Sequence, residues 1–250
     1  MYRSLDASRI IATTEQLGKR IAERFPGSGL SKVVTELLSE AEQAAATVQW
    51  LSKPHRAVRS ISGVVIILLF ALAISTMLLL NRRIELFSSV SDFLQGLDAA
   101  INELVLIGAA TYFLMSWESR RKRTRALRAI HVLRSMAHII DMHQLTKDPE
   151  RLLAPGQDTP SSPLRRLTPF ELTRYLDYCS EMLSVISKIA ALYVQEFDDP
   201  VTLAAVNEVE TLTGSLSQKM WQKIMILDRT IPPQSFKEPT RTDALPTTQA

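Results

Sequence analysis

The sequence is poor in the residues that form disulfides and phosphate-binding loops. It contains one cysteine, Cys179, so no disulfide can form within the chain, which suits a reducing compartment. None of its eight glycines stands in the G-x-x-x-x-G-K-[ST] pattern, whose backbone amides cradle phosphate. Cys179 lies among apolar residues at helical spacing, where a small buried side chain is expected.

The sequence also lacks the alternation of apolar and polar residues that is typical of β-strands. Apolar residues recur instead at helical spacing, so the fold class is predicted to be all-α. No G-x-S-x-G, H-E-x-x-H or paired-carboxylate arrangement is present. We therefore assign no catalytic, cofactor-binding or metal-binding residue and expect no cofactor. A membrane-bound enzyme of unknown reaction is kept as an alternative.

One long apolar run stands out: residues 61–80 carry no charged side chain over twenty positions. A helix of that length rises about 30 Å, the thickness of the hydrocarbon core of a bilayer. The run starts too far along the chain to be a cleaved signal sequence. A second, more polar stretch follows. We predict an integral membrane helical hairpin with transmembrane helices at about 60–81 and 97–117 and a short extracytoplasmic loop at 82–96.

Basic residues are concentrated on one side of these two segments. Six of them follow the second segment directly: Arg120, Arg121, Lys122, Arg123, Arg125 and Arg128. Three more, Lys53, Arg56 and Arg59, precede the first segment, against Arg82 and Arg83 in the loop. By the positive-inside rule both termini are cytoplasmic, in a bacterial-type inner membrane. The cluster of six is predicted to contact anionic lipids, and no nucleic-acid binding is expected.

Amphipathic spacing outside the membrane predicts cytoplasmic helices that form a bundle, with coiled-coil-like packing. Thr168, Pro169 and Glu171 have the residue types of a helix start with a capping box. The predicted parts are an N-terminal helical pair (1–53), the hairpin (54–118), an extension of the second span (119–145), a linker (146–168), an antiparallel helix pair (169–231) and a disordered tail (232–250).

Three polar residues, Asp98, Asn102 and Glu103, lie in the outer third of the second predicted span. If that span begins near Leu97, Glu103 lies roughly 9 Å in from its outer end. A carboxylate at that depth is unfavourable and indicates a functional site. In a symmetric oligomer it would form an acidic ring suited to cations. The other interpretation is that tilt or local thinning leaves Glu103 at the headgroup level.

A polar stripe follows the basic cluster, with His131, Arg134, His138 and Asp141 at intervals of three, four and three. We expect Arg134 and Asp141 to pair near His138. A pH-sensing role for His138 is an alternative, because histidine titrates near neutral pH. A metal site is a further alternative, although the pair of histidines four residues apart that a helical zinc site uses is absent.

The sequence therefore predicts a non-enzymatic, membrane-anchored helical interaction or scaffold protein, oligomeric through self-association or bound to another membrane protein. The alternative is a homo-oligomeric ion channel or transport subunit with an acidic outer mouth. This chain is similar to some divalent-cation channels in its arrangement of helices around two spans. It lacks the Gly-Met-Asn signature of the CorA-type magnesium channels and the Trp-Asp-Ile-Met-Glu signature of the mitochondrial calcium uniporter, so no family is assigned.

Overall fold

The computed structural model of the protein describes residues 4–53, 56–81, 90–149, 160–161 and 167–230. All regular structure in these residues is helical, which confirms the all-α class. In this part of the chain six helices follow one another: α1 (Ala7–Arg24), α2 (Gly29–Ser52), α3 (Arg56–Asn81), α4 (Val90–Leu145), α5 (Pro169–Gln195) and α6 (Pro200–Thr230). The predicted disordered tail, most of the linker and residues 82–89 lie outside the described residues.

Local capping signals determine where α1, α2 and α5 begin. Asp6 Oδ1 accepts a hydrogen bond from the Ser8 amide at 2.9 Å before α1, and Ser28 caps α2 in the same way. The predicted capping box is present at α5. The Thr168 amide donates to Glu171 Oε2 at 2.8 Å, and the Glu171 amide donates to Thr168 Oγ1 at 3.2 Å. These bonds satisfy amides that the first turn of a helix leaves unpaired.

Four helices and the second half of α4 form one bundle around a common apolar core. α5 is central and packs against α1, α2, α4 and α6. The largest fully buried side chains come from α1, α2, α4 and α5: Leu17, Ile21, Leu30, Leu37, Leu51, Leu133, Ile140, Leu176, Met182, Leu183, Ile186 and Ile189. Burying each such side chain contributes about 1.5–3 kcal/mol relative to exposure, so this core is the main source of the bundle's stability.

A lysine that donates to a backbone carbonyl at the end of a neighbouring helix marks each end of the bundle. At one end Lys122 Nζ donates to the carbonyl of Lys53, directly after α2, at 3.0 Å. At the other end Lys223 Nζ donates to the carbonyl of Gln144, near the end of α4, at 3.3 Å. We call the first the junction end, because α3 and the first half of α4 leave the bundle there, and the second the distal end.

α3 packs against the first half of α4 and forms a hairpin with it. The contact between Lys53 and Lys122 holds the start of α3 beside the middle of α4, and the short segment 82–89 joins the other ends. The two helices therefore run antiparallel.

α4 is one unbroken helix from Val90 to Leu145, which rises about 84 Å over its length. Its end at Leu145 agrees with the end that the apolar spacing indicated. Its start differs from the expectation: residues 90–96, assigned to the loop, form the first turns of α4. The reason is that no proline separates this stretch from the apolar residues that follow, so the helix continues through it.

Among the described helices, one is long and apolar enough to cross a membrane, the stretch Leu94–Leu145 of α4. The apolar run that the described residues of α3 cover, Gly63–Ser75, rises about 20 Å, which is less than a bilayer core. In the described residues, one of the two predicted spans therefore has a candidate helix, and the two-span hairpin is not confirmed. The candidate helix, α4, contains the more polar of the two predicted spans.

Candidate functional site

The surface that differs most from the rest of the protein is a belt of exposed large apolar side chains on α3 and the first half of α4. Leu104, Leu106 and Tyr112 are 70%, 69% and 70% exposed. The apolar belt consists of Val64, Ile67, Leu68, Phe70, Leu72, Ile74, Leu78, Leu94, Leu97, Ile101, Leu104, Val105, Leu106, Tyr112, Phe113, Met115 and Trp117. Proteins that are monomeric in water rarely expose a contiguous apolar patch of more than a few hundred Å².

The three polar residues near the start of the belt do not share one face of α4. Asp98 and Asn102 lie one turn apart and are exposed. Glu103 is half-buried, in line with the half-buried Ile107 and Ala110, on the side of α4 that packs against α3. Successive residues of a helix point about 100° apart, so Asn102 and Glu103 face different neighbours. The predicted acidic mouth is therefore divided between an exposed pair and a carboxylate at the helix–helix contact.

Lys122, in the basic cluster, is directed into the protein. The residue is 8% exposed. Its Nζ donates to the Lys53 carbonyl at 3.0 Å and pairs with Glu118 Oε1 at 3.1 Å. Because Lys53 is the C-cap residue directly after α2, the ammonium group lies at the negative end of that helix dipole. The sequence grouped Lys122 with the lipid-contacting residues, whereas the structure places it at the joint between α2 and α4.

Arg123 is held by Asp199, the residue that precedes α6. The guanidinium group donates from Nε and Nη2 to Asp199 Oδ1 at 2.9 and 2.6 Å, and from Nε to Oδ2 at 3.1 Å. Asp199 Oδ2 also accepts the Thr202 amide at 2.9 Å and so caps α6. Burial pushes the pKa of the Asp199 carboxyl upward, but the hydrogen bonds from Arg123 and Thr202 outweigh it and lower that pKa below its usual value.

The rest of the basic cluster remains at the surface of the junction end. The guanidinium carbon of Arg125 lies 4.6 Å from the centroid of the Trp50 ring on α2, a cation–π geometry. Arg120, Arg121 and Arg128 are exposed, and none of the three has a carboxylate ion-pair partner within the described ranges. We call Arg120, Arg121, Arg125 and Arg128 the basic collar, since they follow directly after the apolar belt.

The histidine stripe lies on α4 as expected, but its predicted ion pair does not form. Arg134 Nη1 pairs with Glu208 Oε2 on α6 at 3.1 Å, and Asp141 accepts a hydrogen bond from within α4. Residues seven apart on a helix are separated by about 10.5 Å along its axis, so the neighbouring helix supplies the nearer carboxylate. His131 and His138 are exposed.

Sequence reasoning missed a lysine that joins two helices at the distal end. Lys223 Nζ on α6 donates to Gln144 Oε1 at 2.7 Å and to the carbonyls of Gln144 and Lys147 at 3.3 and 3.2 Å. Burial lowers the pKa of Lys223, and the charges of Asp148 and Asp141 oppose that shift. The contact spans 79 residues of sequence, so no local pattern could have indicated it.

The single thiol of the chain lies in the core of the bundle. The Cys179 thiol is fully buried on α5, and burial raises its pKa to about 12. Such a thiol is a poor nucleophile at neutral pH. In the part of the chain that the structure describes, no three His, Cys, Asp or Glu side chains are arranged to hold a metal ion.

Comparison of this chain with protein-family models, with curated proteins and with solved structures finds no match. Its function is therefore inferred from the apolar belt, the basic collar and the polar joints between its helices.

Proposed function

We propose that the chain is a non-enzymatic, membrane-anchored helical module that acts as an interaction or scaffold protein. In this proposal α3 and the first half of α4 cross a bilayer as a two-span hairpin. The bundle, with the residues before α1 and after α6, lies on the cytoplasmic side of a bacterial-type inner membrane. The observation that carries the proposal is the apolar belt, which is exposed on both helices and followed at once by the basic collar.

Along α4, the length of the belt supports a membrane as its covering. Along α4 the belt extends from Leu94 to Trp117, a rise of about 35 Å that suffices for a hydrocarbon core of about 30 Å. Exposed apolar side chains surround the hairpin on two helices, as lipid contact requires. Trp117 and Tyr112 have the aromatic character that favours the boundary between lipid and water.

The position of the collar supports the orientation. Arg120 and Arg121 lie within about one turn of Trp117, at the level of the adjacent headgroups. An anionic membrane attracts each such charge by about 1 kcal/mol. Basic residues next to a span are retained on the cytoplasmic side, which is the side on which this proposal places the bundle.

The two alternatives have less support. A pore with Glu103 at its axis is disfavoured by the position of Glu103 beside α3 within the hairpin. An enzyme would need reactive groups that face a common space. Of the described residues, the thiol of Cys179 is buried and protonated.

The proposal is tested by thiol labelling from either side of the membrane. Native Cys179 is buried and serves as an unreactive background. One variant is Ser88→Cys, between α3 and α4; its counterpart is Ser184→Cys, at an exposed position of α5. A membrane-impermeant maleimide added to intact spheroplasts should label Ser88→Cys and leave Ser184→Cys unlabelled. Inverted vesicles should give the reverse.

Labelling of both variants from the same side would refute the hairpin, because their sites would then share one compartment. Extraction of the protein by alkaline carbonate would refute membrane insertion altogether. Labelling of native Cys179 in the folded protein would contradict its burial, and Cys179→Ala would then replace it as the background.

A further inference from the structure

The exposed side of α4 also carries a regular series of residues, four of which lie between members of the apolar belt and two of which belong to it. Gln95, Asp98, Asn102, Val105, Ala109 and Tyr112 follow one another at intervals of three and four, and all six are exposed. We call this series the outer stripe. Alternating intervals of three and four residues constitute the heptad spacing, which keeps side chains along one side of a helix that packs against another helix.

The outer stripe is distinct from the surface that α4 uses to bind α3. The residues on that surface, Glu103, Ile107, Ala110 and Leu114, are half-buried and have a heptad spacing of their own. The two series lie on nearly opposite sides of α4, given the helical period. The hairpin therefore leaves the outer stripe uncovered.

The composition of the outer stripe suits a helix better than lipid. Gln95, Asp98 and Asn102 place two amides and a carboxylate among exposed leucine, isoleucine and valine side chains. Polar side chains in a span are unfavourable against hydrocarbon and usually face another helix. Ala109, further along the stripe, is small enough to let a second backbone approach closely.

We propose that α4 pairs through the outer stripe with α4 of a second copy of this chain, in a parallel arrangement about a two-fold axis. The amide of Asn102 both donates and accepts hydrogen bonds, so two copies of Asn102 are complementary to each other. A polar asparagine at one heptad position fixes the register of parallel helices. The inference rests on the proposed membrane hairpin.

The pairing assigns a different role to each polar residue. Asn102 holds the two helices together. Asp98 lies one turn nearer the outer surface, where the carboxylates of the two copies face each other and repel. The carboxylate near the symmetry axis is therefore Asp98, whereas Glu103 stays within each hairpin.

Disulfide cross-linking in native membranes tests the geometry, with buried Cys179 left in place. Val105→Cys and Ala109→Cys lie on the outer stripe. Leu104→Cys and Met115→Cys are matched controls, since both residues are 70% exposed but lie on another side of α4. Mild oxidation should give at least fivefold more disulfide-linked dimer for the stripe variants. Equal yields from both pairs, or no dimer from either, would overturn the inference.

Two substitutions test whether the partner on the outer stripe is a second copy of this chain, since one should weaken the dimer and the other should strengthen it. Asn102→Leu should weaken the dimer in detergent by about threefold to thirtyfold, the range for one hydrogen bond between membrane helices. Asp98→Asn should strengthen it, because two facing carboxylates are replaced by amides. Weakening by Asp98→Asn would point to a different, basic partner and overturn the pairing of two copies.

Carbonate extraction of the same membranes separates this inference from the proposed function. Protein that stays in the membrane without stripe-specific dimer refutes the pairing alone. Protein that is extracted refutes the membrane hairpin, and the pairing with it.

Discussion

Asp199 has two roles at the junction end, and its side-chain oxygens serve both. The carboxylate caps α6 through Thr202 and binds Arg123 on α4, although the Asp199 side chain is only 5% exposed. Its pKa in the folded protein is lowered, since hydrogen bonds outweigh the opposing effect of burial. The unfolded value is about 3.9. The stabilisation is therefore complete above that value and is lost as the pH falls through the folded pKa.

We predict that Asp199→Ala lowers the free energy of unfolding by about 1–3 kcal/mol at pH 7, because a helix cap and a charged hydrogen bond are removed together. Denaturation of the full chain in detergent, followed by circular dichroism, measures the change. The difference from wild type should shrink as the pH falls below about 4. Asp198→Ala is the matched control: that residue is exposed, and a change within about 0.5 kcal/mol is expected. Equal effects of the two substitutions would contradict the assigned roles.

The partners of individual charges follow from tertiary structure rather than from sequence. The sequence shows six neighbouring basic residues, but their number does not say which of them face the core. Lys122 and Arg123 contact α2 and the start of α6 because the helical period turns them toward the bundle. Arg134 pairs with Glu208, 74 residues away. Such separations leave no local signal.

Of all the helix starts, that of α5 is specified most completely by the sequence. Thr168 and Glu171 satisfy each other's backbone amides in the capping box. The Glu171 carboxylate has a lowered pKa, chiefly because the Thr168 amide and hydroxyl donate to it. Because α5 is the central helix of the bundle, its correct start affects the packing of α1, α2, α4 and α6.

We predict that Thr168→Ala destabilises the protein by about 1 kcal/mol, since the first turn of α5 loses its cap. Thr211→Ala makes the same chemical change at an exposed position inside α6. There alanine has the higher helix propensity, so stability should be unchanged or raised by up to about 0.5 kcal/mol. Thermal unfolding midpoints of the two variants, measured side by side, test the contrast. A similar loss in both would mean that the capping box contributes nothing specific.

The ends of a helix could be predicted where residues at that end carry the signal. They could not be predicted where the answer depends on whether two neighbouring segments join into one helix. The capping residues of α5 and the last apolar residue of α4 at Leu145 are local signals. The start of α4 could not be predicted in this way, because the spacing of Val90, Phe93 and Leu97 fits a separate interfacial helix as well as the first turns of a longer one. The division of Asp98 and Glu103 between two sides of α4 also required the packing of α3.

At the scale of the whole molecule, α4 is the described helix that belongs to both the hairpin and the bundle. Its continuity gives the two parts a common axis. The contact between Lys122 and Lys53 adds a second connection, because Lys53 lies between α2 and α3. A membrane-inserted hairpin would therefore hold the bundle in a defined orientation above the lipid surface, as a scaffold requires.

The environment of the hairpin can be tested with one substitution on each half of α4. Leu104 and Met142 are 70% and 68% exposed, and arginine at either site would be tolerated by a protein surrounded by water. In a bilayer the two sites differ: arginine within a span opposes insertion by about 2.5–3.5 kcal/mol, whereas Met142 belongs to the bundle. We predict that Leu104→Arg strongly reduces the carbonate-resistant membrane fraction and that Met142→Arg leaves it unchanged. If both variants partition like wild type, water rather than lipid surrounds the apolar belt, and the membrane hairpin is wrong.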